Sequence, residues 1–151
     1  MDNISSDLWN RAVNSPLIEL SPRTDGRGAL LALESGDALG FDLQRVYFLY
    51  DLLANQPRGF HAHLALHQLM ICTSGACTVR LESRKGSQSY RLDRPTLGLR
   101  IGPMVWREMH DFAPGTVVMV LASAPYDESD YIRSHEAFRQ MLAVDHTALV
   151  K

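Results

Sequence analysis

The chain has 151 residues, of which 46% are hydrophobic and 21% charged, and its formal net charge is −2. That length suits one domain with a single core, and the near-neutral balance, with basic residues scattered from Arg23 to Arg107, argues against a nucleic-acid footprint. No span of some twenty apolar residues and no leader-like N-terminal pattern is present, so a cytoplasmic protein with Cys72 and Cys77 as free thiols is expected.

Residues 1–15, with Leu8, Trp9 and Val13 among polar neighbours, read as a short lead-in without chemistry of their own. Leu17 to Leu20 alternates as a strand does, and 21–28 is a polar turn rich in glycine. Further strands are expected over 29–34 and 43–51. On the second of these, Arg45, Tyr47 and Leu49 share one face, while Val46, Phe48 and Tyr50 share the other. Asn55-Gln-Pro57 breaks the chain before the run from Arg58 to Gly75. Short strands then alternate with turns at Ser74-Gly75, 83–87, 93–95, Gly102-Pro103 and 113–115. Many short strands punctuated by Gly and Pro argue for an all-β sandwich or barrel. Only the end differs. Tyr131, Ile132, His135, Phe138 and Leu142 recur at helical spacing, and a C-terminal amphipathic helix is expected over 127–143.

The run Arg58-Gly-Phe-His-Ala-His-Leu-Ala-Leu-His is the densest in chemistry. If it is extended, His61, His63, Ala65, His67 and Leu69 share one face, and three imidazoles look the same way. Solvated histidines would satisfy that pattern on an outer face. Histidines turned into a barrel need partners and mark a wet, functional cavity. Arginine supplies almost all of the positive charge, and its planar fork suits phosphate or carboxylate, so arginines gathered by folding would hold a small anion.

His61, His63, then Gln68, then Gly75 resemble the first cupin motif, which carries a glutamate where this chain has Gln68. In metal-holding cupins the two histidines, that glutamate and a histidine after a Gly-Pro turn bind iron, manganese or zinc. Here Gln68 is a neutral, weak ligand, and spacing from Pro103 puts Glu108 at the fourth position, with His110 out of register.

Most of the chain, from about Asp25 to Leu142, is similar to the dTDP-4-keto-6-deoxyhexose 3,4-ketoisomerases. The matching segments are Asp25-Gly-Arg-Gly28, Arg45-Val-Tyr47, Arg58 to His63, Gly98 to Trp106, Glu108 to Phe112, Val120 to Ser123 and Tyr126 to Arg133. The resemblance implies a single cupin domain over 1–151, a double-stranded β-helix (jelly-roll) barrel with a C-terminal helix. It also implies no metal or other cofactor, and a homodimer with exchanged N-terminal strands. The implied reaction moves a keto group from C4 to C3 of a dTDP sugar through an enediol or enediolate. Its products feed aminotransferases that make 3-amino-3,6-dideoxy sugars for surface polysaccharides or antibiotics.

By the same resemblance His61 is the catalytic base, Tyr47 its partner, and His63 orients the intermediate or shuttles a proton. Arg27 and Arg107 lie near the hexose, where variation sets the face on which C4 is reprotonated, and Arg58 reaches phosphate. Proton removal and return call for groups titrating near neutrality, which histidine supplies. Two other readings of the same residues are a metal-dependent cupin oxygenase and a non-catalytic sugar-nucleotide-binding cupin.

Overall fold

Alternating apolar residues in short runs, each closed by a turn, need a facing layer to bury their inner sides. The computed structural model describes residues 15–36 and 39–148 and supplies that layer as two five-stranded antiparallel sheets. Its strands are β1 (Leu17–Glu19), β2 (Arg23–Asp25), β3 (Gly28–Leu30), β4 (Arg45–Leu49), β5 (Arg58–His63), β6 (Gln68–Ser74), β7 (Cys77–Ser83), β8 (Gly86–Leu92), β9 (Leu97–Ile101), β10 (Trp106–His110), β11 (Val117–Ala122) and β12 (Tyr131–Ile132). One sheet runs β1-β9-β6-β11-β4 and the other β12-β5-β10-β7-β8, while β2 and β3 form a hairpin of their own. This is the expected all-β jelly roll.

Between the sheets lie Met70, Val79, Leu99, Ile101, Val118 and Val120, all nearly inaccessible. Each such side chain contributes about 1.5–3 kcal/mol by leaving water. At the closed end the β6–β7 hairpin turns at Gly75, whose φ is +71° and whose missing Cβ would lie 2.7 Å from the Thr116 Cα. Only glycine fits that crossing. The thiols of Cys72 and Cys77, on the two strands of this hairpin, are free and buried.

Three sequence expectations shift. The stretch read as a turn over 21–28 contains β2, and the strand expected over 29–34 is only β3. Asp25 explains this, because its Oδ1 accepts from the Arg27 amide at 2.8 Å and closes a tight hairpin. The helix expected over 127–143 is three elements: a 3₁₀ turn Glu128–Asp130 capped by Asp127, then β12, then α1 (His135–Ala148). Tyr131 and Ile132 pair with His63 and Ala62, so their apolar character serves a sheet edge before the helix begins. Ser134 starts α1 by accepting from the Ala137 amide at 3.2 Å. Phe138 of α1 then packs with Ile132, Ala62 and Trp106 on the outer face of the second sheet. The lead-in of 1–15 lies, but for Ser15, outside the described residues. No helix among the described residues is long and apolar enough to cross a membrane.

On β4 the alternation is as expected: Arg45, Tyr47 and Leu49 are partly buried, and Val46, Phe48 and Tyr50 are exposed. β4 is an edge strand.

Candidate active site

The open end of the barrel is where β4, β6, β10 and β5 bring their inward side chains together. On β5 the pleat is interrupted. His61 pairs with Arg107 but Gly59 pairs with Glu108, leaving Phe60 as an extra residue with φ +55°. A Cβ on Gly59 would lie 2.9 Å from the Arg107 carbonyl oxygen, so the strands approach this closely only because residue 59 is glycine. Beyond the bulge His61 and His63 turn inward, and Ala62 turns out beneath α1.

The expected row of three imidazoles stops at two. β5 ends at His63, and the chain crosses to the other sheet before Gln68, so His67 lies in the crossing and its amide donates to Ser123 Oγ at 2.9 Å. Period-two alternation cannot carry across such a bend.

The two remaining imidazoles are held in the same tautomer by different partners. His61 Nδ1 donates to the Gly59 carbonyl at 3.1 Å, and His63 Nδ1 to Asp130 Oδ2 at 3.0 Å. Asp130 is itself fixed, because its Oδ1 accepts from the Ala65 amide at 2.8 Å. With the proton on Nδ1, each Nε2 carries a lone pair. Both Nε2 atoms are buried and make no hydrogen bond among the described residues. The rings stand edge to face at 5.0 Å, and Tyr131 packs on His63 at 4.3 Å and on His61 at 5.0 Å. Burial first, and then the charge of Arg107, push His61 down to about 4 and His63 in the same direction. Both are therefore neutral bases near pH 7.

A second chain of contacts crosses the floor of the site. Arg107, 1% exposed, donates through one terminal nitrogen to Gln68 Oε1 and through the other to the Val105 carbonyl at 3.0 Å. Gln68 passes this on, its Nε2 donating to the Tyr47 hydroxyl oxygen at 2.9 Å. Tyr47 thus keeps its own proton for a further acceptor. Burial raises its pKa, and burial lowers that of Arg107 to about 10, leaving tyrosine neutral and arginine charged near pH 7.

The donor set does not fit a divalent ion. Among the described residues no three His, Cys, Asp or Glu side chains converge as ligands. The position that would be glutamate is a glutamine whose oxygen is engaged by a buried cation, and a like charge repels a metal. The fourth-ligand position is corrected as well. Arg107 and Met109 face inward on β10, so Glu108 and His110 face out, where Glu108 accepts from Trp106 Nε1 at 3.1 Å and pairs with His110 at 3.0 Å.

Of the residues singled out from the sequence, His61, His63, Tyr47 and Arg107 gather here. Arg58 does not, being exposed at the start of β5. Arg27 sits at the tip of the β2–β3 hairpin, 91% exposed and paired with Asp25 at 2.7 Å, outside the pocket of its own chain. Sequence reasoning missed Asp130 and Tyr131, and it read Gln68 only as a lost ligand. Their sole signal was membership in the matching segment Tyr126 to Arg133 and in the cupin motif. Beside His63, Arg45, Asp127, Asp130 and Tyr131 border a cavity of about 180 Å³.

Fold and site together define a cupin barrel with two buried imidazoles turned into its open end. Residues 13–143 match the family described as FdtA: WxcM-like, C-terminal. Over 131 residues the chain is 43% identical to the TDP-4-oxo-6-deoxy-alpha-D-glucose-3,4-oxoisomerase of Aneurinibacillus thermoaerophilus, covering 87% of this chain and 94% of that one. A mutant of the 3,4-ketoisomerase QdtA from Thermoanaerobacterium thermosaccharolyticum, solved in complex with TDP-4-keto-6-deoxyglucose, superposes with a TM-score of 0.81 at 39% identity, over 83% of this chain and 91% of that one. The TDP-quinovose 3,4-ketoisomerase WlaRB of Campylobacter jejuni gives 0.79 at 41% identity, over 82% and 95%. The chain belongs to the FdtA-like family of sugar 3,4-ketoisomerases.

Proposed function

We propose that the protein is an isomerase that converts TDP-4-keto-6-deoxyglucose to the corresponding 3-keto-6-deoxyhexose, in the making of amino deoxysugars. The observation that carries this is the pair of buried Nε2 lone pairs, neutral at physiological pH, in a barrel whose buried Arg107–Gln68 chain leaves the Tyr47 hydroxyl with a proton to give.

Moving the carbonyl requires a proton to leave C3 and one to arrive at C4. His61 Nε2 takes the C3 proton as the C4 carbonyl oxygen gains negative charge. The resulting enediolate is stabilised by the Tyr47 hydroxyl and by the field of Arg107. As imidazolium, His61 is a strong acid in this buried setting and returns the proton to C4. Meanwhile O3 must lose its proton, and His63, held by Asp130, relays it to O4. Bonds and charges then balance without a redox partner or a metal. Turnover of TDP-4-keto-6-deoxyglucose followed by NMR tests the reading. Appearance of a 3-keto product supports it, and binding without turnover would make the protein a sugar-nucleotide-binding cupin instead.

We further propose a homodimer with exchanged N-terminal strands, working in the cytoplasm, where the buried thiols stay reduced. The edge strand β4 exposes Val46, Phe48 and Tyr50, and the β2–β3 hairpin projects with Leu30 61% exposed. A hairpin from a second copy would cover that edge and carry its Arg27 to the neighbouring pocket. Equilibrium sedimentation that finds only monomer at micromolar concentration would refute this.

A further inference from the structure

A phenylalanine in the left-handed backbone region is an outlier, because its Cβ crowds the following carbonyl where glycine has none. Phe60 is held there at φ +55°, directly after Gly59 at φ +96°. Its side chain is also 42% exposed, so burial does little to offset the strain. Such residues persist only where their surroundings over-determine them, and they gather at functional sites. Beside Phe60 stands the base of the proposed reaction. The kink at 59–60 points the Gly59 carbonyl at the His61 ring, where it accepts from Nδ1 at 3.1 Å. A brace on the outer face of the sheet holds the kink. The Phe60 ring meets that of His110 edge to face, with 6.0 Å between centroids and 79° between planes. His110 Nε2 donates to Glu108 Oε2 at 3.0 Å, and Glu108 Oε1 accepts from Trp106 Nε1 at 3.1 Å and from Arg80 at 3.4 Å.

We propose that Phe60 is a positioning residue for the base: braced by His110 and Glu108 outside the barrel, it fixes the kink that aims the Gly59 carbonyl at His61 Nδ1 and so keeps the Nε2 lone pair facing the pocket. The inference rests on the isomerase reading above. The two imidazoles are held unequally. His63 has a carboxylate, Asp130, which an amide fixes in turn, whereas His61 Nδ1 has a neutral carbonyl two residues back. The direction of that carbonyl is the direction of the planar Gly59–Phe60 peptide, set by the torsions on either side of it. Gly59 cannot restrain the plane. Glycine is required there for close approach, since a Cβ would lie 2.9 Å from the Arg107 carbonyl oxygen, and glycine is the residue least able to hold a single conformation. Restraint therefore falls to Phe60, whose ring docks on β10, the strand that carries Arg107.

The test compares wild type, Phe60→Gly, Phe60→Tyr and His110→Ala by turnover of TDP-4-keto-6-deoxyglucose and by the imidazole nitrogen shifts of His61, which the spectrum of His61→Asn assigns. Phe60→Gly relieves the backbone strain and removes the ring, so a purely local view predicts an unharmed or stabilised protein. The positioning role predicts the reverse for catalysis: kcat lower by roughly ten- to a hundredfold, the usual loss when the partner that orients an imidazole is disturbed, with KM little changed. The His61 proton should shift from Nδ1 toward Nε2 in the same variant. Phe60→Tyr keeps the ring and should restore both readouts. His110→Ala, which leaves Glu108 its bonds to Trp106 and Arg80, should show the same changes to a smaller degree, and it decides the matter if Phe60→Gly does not fold. Wild-type kcat in Phe60→Gly, a loss of kcat with the His61 shifts unmoved, or an equal loss in Phe60→Tyr would each overturn the proposal. A wild type that never turns over the sugar nucleotide would overturn the isomerase reading instead, and the His61 shifts would still decide whether Phe60 sets the tautomer.

Discussion

Replacing His61 by asparagine isolates the base. The asparagine amide can still donate to the Gly59 carbonyl, as Nδ1 does at 3.1 Å, so the bulge and the strand pairing should survive. What disappears is the Nε2 lone pair. With His61 pushed down to about 4, nearly every molecule holds it neutral at pH 7, roughly a thousand to one, so none of the wild-type rate is already lost to misprotonation. The full contribution of a general acid–base group, about a hundred- to ten-thousandfold, should therefore vanish from kcat. Nucleotide affinity should hold, because the interaction is needed only in the transition state. Exchange of the C3 proton with deuterated water, followed by NMR, reads the step directly. Exchange at the wild-type rate in His61→Asn would refute the assignment and pass the role to His63 or Tyr47.

Asp130→Asn should lower turnover on the order of ten- to a hundredfold while moving the His63 proton from Nδ1 to Nε2, a tautomer change visible in the imidazole nitrogen shifts; unchanged shifts would show that Asp130 does not set the tautomer. Exhaustive chelation should leave activity intact, and loss that only added metal restores would revive the oxygenase-like alternative. Stability should fall as pH drops from about 6.5 toward 4. In that window unfolded histidines take up protons that buried His61 and His63 refuse, and for His61 the gap corresponds to about 3 kcal/mol. Thermal unfolding against pH checks this, His61→Asn should flatten part of the decline, and a flat wild-type profile down to pH 4.5 would contradict it.

The sequence made some of this legible and concealed the rest for identifiable reasons. Turn residues at regular intervals predicted an all-β sandwich or barrel, and alternation on β4 correctly separated the face of Tyr47, now partly buried, from that of Phe48, now exposed. Alternation also found His61 and His63, but it overran the end of β5 and claimed His67, since periodicity carries no record of where a strand changes sheets. Helical spacing from Tyr131 onward is satisfied equally by a two-residue strand followed by a capped helix, so the boundary at Ser134 was hidden. Asp130 meets His63 across 67 residues of chain, and no local pattern announces such a pair. Arginines are the opposite case. They are visible everywhere, and only folding separates buried Arg107 and partner-poor Arg45 from exposed Arg58.

Gln68 shows how one substitution redirects the barrel. A metal in this fold would consume the Nε2 lone pairs of both histidines and leave neither as a base. With glutamine at this position, the positive charge at the centre of the site belongs instead to Arg107, whose guanidinium binds the amide oxygen while the amide nitrogen binds Tyr47. A cation is still present to depress the imidazoles. It is now fixed by the fold, and in the mechanism proposed above it would stabilise the enediolate while both imidazoles move protons. Glutamate at 68 would replace a neutral relay with a buried ion pair, cancel the field of Arg107 at the substrate, and supply the missing carboxylate ligand. Gln68→Glu is therefore expected to lose isomerase turnover and to gain affinity for a divalent ion, measurable by equilibrium dialysis with Mn²⁺ or Zn²⁺. Retained turnover in that variant would show that the charge of Arg107 is not what stabilises the intermediate.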